Sequence, residues 1–171
     1  MGEAFKSPAF VAYYGLLQLH AQTLERIERD FEAQAGFPAS WYELMACVEG
    51  EHAEGKRMNE LADILLISRG GATKLVARME EAGYVERVTP KHDRRATFAR
   101  LTPKGAEAAA AAHPIQLALV EQYFGSHVDQ ADLDDLTRIA DKVLKGIDAE
   151  CSWLDEIKGS EVAKLAEGAQ A

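Results

Sequence analysis

Cysteine is scarce in this chain. Cys47 and Cys151 are the only two among 171 residues, far apart and in no CxxC pair, so neither a disulfide-stapled scaffold nor a cysteine-based metal site is expected. Both thiols are expected to be reduced. Redox sensing through Cys47 is the alternative, but it needs an exposed thiolate of low pKa, and no cationic residue adjoins Cys47 in sequence. Long apolar runs are also missing. None approaches the roughly 18–20 residues that span a bilayer, so no membrane partner is expected. The opening MGEAFKSPAF has neither a basic nor an apolar leader region, and Lys6 breaks the myristoylation pattern. The expected location is the cytoplasm. Catalytic signatures are absent as well: GGATK lacks P-loop spacing, and there is no HExxH, GxSxG or plausible triad. His20, His52, His113 and His127 have no ligand-like spacing. The expectation is therefore no enzyme, no catalytic residue, no metal and no cofactor.

Positive charge is in short supply overall, with 19 Lys and Arg against 28 Asp and Glu, and a net charge of −9. It is not spread evenly. From Lys56 to Lys104 there are 11 basic and 6 acidic residues, leaving 8 basic and 22 acidic elsewhere. A basic window on an acidic body makes a local anion site, while the body resists non-specific adhesion.

The hydrophobic pattern is mainly helical. Phe10, Tyr14, Leu17, Ala21, Leu24, Ile27 and Phe31 recur at spacings of three and four, which predicts a helix from Pro8 to about Ala35, started by Ser7-Pro8 and stopped at Gly36. A shorter helix is expected from Ser40 to about Gly50, and EGEHAEGK reads as a loop. Then come two helices joined by a short turn. The first, about Asn59 to Leu65, faces Leu61, Ala62 and Leu65 inward; the second opens at the N-cap Ser68, faces Ala72, Leu75, Val76 and Met79 inward, and ends at Gly83. That is a helix-turn-helix pattern. YVERVTP and ATFARLT flank the polar KHDRR, which predicts a β-hairpin with a basic tip. After Thr102-Pro103 a helix is expected through the alanine-rich segment, kinked or interrupted at Pro114. A last helix carries Leu133, Leu136, Ala140, Val143, Leu144 and Ile147 on one stripe. The fold class is mainly α with a small β wing.

The face of the second helix opposite its buried residues carries Arg69, Gly70, Thr73, Lys74, Ala77 and Arg78. Small residues (Gly70, Gly71) in the first turn after Ser68 let the backbone approach another surface closely. The helix N-terminus favours phosphate. Thr73 and Lys74 can donate to phosphate oxygens, and Arg69 can fork onto a guanine edge. A ribbon tip bearing His92, Arg94 and Arg95 suits an adjacent narrow minor groove. This composition fits a helix laid in the major groove of double-stranded DNA, with Ser68, Arg69, Gly70, Gly71, Thr73, Lys74 and Arg78, and His92, Arg94 and Arg95 of the ribbon, as the expected DNA-binding residues. A winged helix used for protein contacts, the rival reading, predicts an apolar outer face instead.

The segments ELADILLISRGGATKLVARMEEAGYVER and DRRATFARLTPKG resemble the MarR family of bacterial transcription regulators in motif order and spacing. One departure is Leu66, where such turns often carry glycine. The resemblance implies a winged helix-turn-helix lobe over residues 40–102, with Arg69, Gly70, Thr73 and Lys74 on the recognition helix and Asp93 and Arg95 at the wing's D-x-R positions. It also implies a single domain over residues 1–171 that forms a homodimer through helices at 8–35 and 103–157, with a flexible tail at 158–171. Half-sites about 10 base pairs apart follow from that geometry. Finally, it implies a repressor released by a small phenolic or aromatic anionic effector, with Tyr14, Leu17, Trp41, Tyr42 and Met45 as candidate pocket residues.

Overall fold

The computed structural model describes residues 6–49, 55–89 and 96–147. Helix α1 (Pro8–Ala35) begins after Ser7 with proline in its first turn and ends where Gly36, at φ 78°, takes the left-handed conformation and returns its N–H to the Glu32 carbonyl. Helix α2 (Ala39–Val48) is followed by the short strand β1 (Lys56–Arg57), α3 (Met58–Ile64), α4 (Arg69–Glu81), β2 (Val85–Val88), β3 (Phe98–Leu101), α5 (Pro103–Tyr123), a single 3-10 turn at Gly125–His127, and α6 (Gln130–Gly146). The expected helices and hairpin are therefore present. The fold is mainly helical with one small antiparallel sheet of order β1-β3-β2.

Two expectations need correction. The segment read as a loop ends in β1, which pairs Lys56 with Ala99 and Arg57 with Phe98. Two residues are too few to show alternation, so the strand is defined by its partner. Gly55, at φ 87°, leads into it and lies so close to the Ala99 carbonyl that any Cβ would collide with it. The second correction is at Pro114, where α5 runs on without interruption to Tyr123. The last predicted helix is seen as far as Gly146, with Ile147 in the turn that follows; the remainder of that prediction, like the tail at 158–171, lies outside the described residues.

The chain divides into two units, residues 1–39 with 111–129, and residues 40–110 with 130–171. In the first, Phe31 is fully buried and its ring meets Phe37 edge-on at 5.8 Å. The Tyr123 hydroxyl donates to Asp30, which also accepts from Arg29 at 2.8 Å. Those bonds, Arg29 first, hold the Asp30 carboxyl below the usual carboxylate range. Because the folded value is the lower one, this stabilisation is present above the ordinary carboxylate pKa and is lost as pH falls through the lowered value. Toward its N-terminal end α1 is uncovered: Val11, Tyr13, Leu16, Leu17 and Leu19 are all exposed.

In the second unit α3 packs against α4, and α4 against β2. Leu44, Met45, Leu61, Ala72, Val76, Met79, Val85 and Ala99 are buried there. The expected inward face of α4 is matched at Ala72, Val76 and Met79, whereas Leu75 is half-buried. The α6 stripe has no buried member, and Leu136, Ile139 and Val143 are exposed.

Two junctions depend on backbone geometry. Thr102 donates its hydroxyl to the Gly83 carbonyl at 2.7 Å and accepts from the Gly105 N–H at 3.0 Å, which caps the start of α5. Gly105 sits directly against the Tyr84 carbonyl oxygen, so a Cβ there would collide with backbone. In the turn between α3 and α4, Leu66 stands at φ 53°, left-handed, and is 91% exposed. A leucine there strains the backbone and gains no burial in return. Gly105→Ala is expected to lower stability by about 2 kcal/mol, and Leu66→Gly to raise it by about 1 kcal/mol. Thermal melts of both variants check this, and a Gly105→Ala melt matching wild type would refute the close approach.

Candidate nucleic-acid interface

The turn that presents α4 is built from local bonds. The Leu65 and Ile67 N–H groups donate to the Leu61 and Ala62 carbonyls at 3.0 Å each, which closes α3 and points the chain into α4. Ser68 then caps α4 as expected, its Oγ accepting from the Gly71 N–H at 3.0 Å. That takes up one of the first-turn donors of the helix and leaves the N-terminal end of its dipole facing outward.

With Ala72, Val76 and Met79 buried, helical periodicity exposes Arg69, Gly70, Thr73, Lys74, Ala77 and Arg78 together. Gly70 has no packing reason to be glycine: a Cβ there would meet nothing nearer than Ser68 Oγ at 4.0 Å. Thr73 spends its hydroxyl proton within the helix, donating to the Arg69 carbonyl at 2.9 Å; toward an outside group its oxygen is an acceptor.

The cations of the basic window fall into two sets. Most of the described ones outside α4 are engaged inside the lobe. Arg100 forks onto Glu86 at 2.7 and 2.9 Å across the β2–β3 pair, where the two residues stand directly opposite. The Lys104 ammonium donates to the Ala82 carbonyl at 2.7 Å and lies 4.3 Å from the Tyr84 ring centroid. Arg57 stands over the Phe98 ring at 5.3 Å, and Lys56 is buried. Arg87 pairs with Glu80 at 3.6 Å. By contrast, among the described residues no carboxylate pairs with Arg69, Lys74 or Arg78, and all three are exposed. Among the described residues of the window, unpaired positive charge is thus concentrated on the outer face of α4. Periodicity identified this face, but the engagement of Arg87, Arg100 and Lys104 depends on partners 7 to 22 residues away and had no signal in the spacing. His92, Asp93, Arg94 and Arg95 lie outside the described residues.

The candidate pocket residues are divided between the two units. Tyr14 and Leu17 are exposed on α1. On α2, Met45 and Tyr42 are buried, and the half-buried Trp41 ring meets that of Tyr84 at 5.4 Å. Burial pushes the Tyr42 phenol up to about 12, so it keeps its proton at neutral pH. Cys47 is buried. Among the described residues no group of His, Cys, Asp and Glu is placed to hold a metal, and no helix is long and apolar enough to cross a membrane.

A helix-turn-helix followed by a β-ribbon, with unpaired cations along the outer face of its second helix, defines a winged-helix DNA-binding protein. Known proteins agree. A sequence model of the MarR family matches residues 36–96. The chain is 29% identical over 121 residues to the transcriptional activatory protein BadR of Rhodopseudomonas palustris, covering 70% of this chain and 67% of that one. It is 26% identical over 132 residues to the transcriptional repressor MprA of Escherichia coli, covering 77% and 74%. The crystal structure of Sco3205, a MarR family regulator from Streptomyces coelicolor in complex with DNA, superposes with a TM-score of 0.74 at 26% identity, covering 80% of this chain and 89% of that one. The chain is thus similar to MarR family transcriptional regulators, in sequence over residues 36–96 and in the winged-helix fold.

Two substitutions separate cap from contact surface. Ser68→Ala is expected to cost about 1 kcal/mol by removing the cap, whereas Gly70→Ala is expected to gain roughly 0.5 kcal/mol by restricting the unfolded chain. Thermal melts measure both; a destabilised Gly70→Ala would mean that the chain itself requires the glycine.

Proposed function

We propose that the protein is a homodimeric repressor that binds a pseudo-palindromic operator through Arg69, Gly70, Thr73, Lys74 and Arg78 of α4 and His92, Arg94 and Arg95 of the wing, and is released by a small phenolic or aromatic anionic ligand. The observation that carries this is the set of unpaired cations on the exposed face of α4. With the neighbouring cations engaged internally, Arg69 is available for a guanine edge and Lys74 and Arg78 for phosphates. Gly70 supports close approach, since nothing within the chain calls for a glycine there.

Dimerisation is supported by apolar surface that the single chain leaves open. Tyr13, Leu16 and Leu17 on α1 and Leu136, Ile139 and Val143 on α6 are exposed large hydrophobics, more than a lone soluble chain ordinarily shows in stripes. A second copy would cover them and set two recognition helices about 10 base pairs apart. Effector release is supported by the aromatic residues Tyr14, Trp41 and Tyr42. Such an effector acts only by preferring the shape that does not bind DNA. Burial of Cys47 argues against the redox alternative.

Gel-shift titration of a duplex selected from random sequence is expected to show Arg69→Ala and Arg95→Ala each losing roughly 1–3 kcal/mol of binding, with affinity falling steeply as salt rises. Unchanged binding in both variants would refute the interface. Sedimentation is expected to give a dimer. A thermal-shift screen of phenols and aromatic carboxylates, followed by gel shift, is expected to yield a compound that both stabilises the protein and displaces the duplex. A monomer that binds the duplex normally would refute the dimeric reading.

A further inference from the structure

We infer that Arg87 and Glu80 form a strap that sets the angle between the recognition helix and the wing, so that Arg87 is a positioning residue and not a phosphate ligand; the inference rests on α4 and the wing being the DNA-binding elements. Arg87 lies on β2, the strand that leads to the wing tip. Its guanidinium Nη2 donates to the Thr73 carbonyl on α4 at 3.1 Å, and its Nε stands 3.6 Å from Glu80 Oε2. The backbone N–H of Arg87 donates to the other oxygen of the same carboxylate at 3.2 Å. Glu80 therefore grips β2 through both main chain and side chain.

Arg87 in turn holds α4 through two of its residues seven positions apart, the Thr73 carbonyl and the Glu80 carboxylate, both reached by one guanidinium. A planar guanidinium suits this, since its donors leave in fixed directions. Attachment at one point would let the strand pivot; two points remove that rotation. The opposite end of β2 is already fixed, because the Tyr84 N–H donates to the Met79 carbonyl at 2.9 Å. The strand thus leaves the helix in one direction; in sequence it leads on to Lys91, His92, Arg94 and Arg95.

The strap also accounts for a carboxylate on the recognition helix. Of the two carboxylates that end α4, Glu80 and Glu81, Glu80 is the one bonded to β2. The Arg87 and Glu80 side chains are 33% and 41% exposed, so screening leaves the pair little weight in global stability. Its effect is expected in geometry, and therefore in discrimination between sequences.

The test uses the full chain with Glu80→Gln, Arg87→Ala and the double variant, each titrated against the duplex selected by the wild type and against a scrambled duplex. Each single variant is expected to melt within a few degrees of wild type and to lose about tenfold in the ratio of selected to scrambled affinity. The double variant is expected to lose no more than either single one. Removing a negative charge beside DNA should by itself tighten binding, so lost discrimination in Glu80→Gln is a result that electrostatics alone does not give. Three outcomes overturn the strap: Glu80→Gln binding both duplexes equally more tightly, additive losses in the double variant, or Arg87→Ala weakening both duplexes alike with a salt slope lower by about one phosphate contact. Lys74→Ala separates the two levels. If it weakens both duplexes while discrimination survives in the strap variants, the strap alone is wrong. If it changes neither affinity, the interface reading is wrong.

Discussion

The burial of Ala72, Val76 and Met79 against the rest of the lobe is the constraint from which the remainder of the interface follows. A helix has one rotation about its axis, and sealing those three side chains from water sets it. Every outward residue of α4 is then determined by the 3.6-residue period, and basic, small and hydroxyl side chains come to share one surface. The cap at Ser68 and the left-handed backbone at Leu66 serve the same end: they fix where the helix starts and the direction from which it is approached. The strain at Leu66 is the cost of a sharp entry, tolerated because the residue lies at the surface.

Charge is arranged on two scales. Globally the chain is acidic, at −9, which opposes indiscriminate adhesion to polyanions. Locally, the lobe sorts its cations by giving several of them internal tasks. Arg100 clasps Glu86 across the ribbon, Lys104 closes the end of α4, and Arg87 ties ribbon to helix. Only what is left over faces outward. Formal charge in a sequence window therefore overstates the charge available to a partner, because a cation satisfied within the fold has little attraction left for phosphate.

Much of this architecture could be read before any coordinates. Long amphipathic helices, a cap at Ser68, a stop at Gly83 and a basic hairpin are all encoded by neighbours within a few residues, the range at which pattern reasoning works. What escaped were features made by distant pairs. β1 is two residues long and exists because Phe98 and Ala99 lie beside it. Arg87 looks in sequence like any other exposed cation of the window; its engagement with Thr73 depends on how β2 folds back over α4. Pro114 misled for the opposite reason. A strong local signal for a break was overridden by the rest of a 21-residue helix. The aromatic residues considered for an effector were legible as residues, but whether they line one space depends on two units that local spacing does not relate.

β1 ends at Arg57 and α3 starts at Met58, with no linker between them. The Met58 N–H donates to the Thr97 carbonyl, just ahead of β3, at 3.1 Å, and β3 is followed after a single residue by α5. Four elements, β1, α3, β3 and α5, therefore meet at a joint with little slack. The start of α5, the sheet and the helix that precedes the recognition element are thus joined with one residue of connecting chain, Thr102, among them, as parts of one casting.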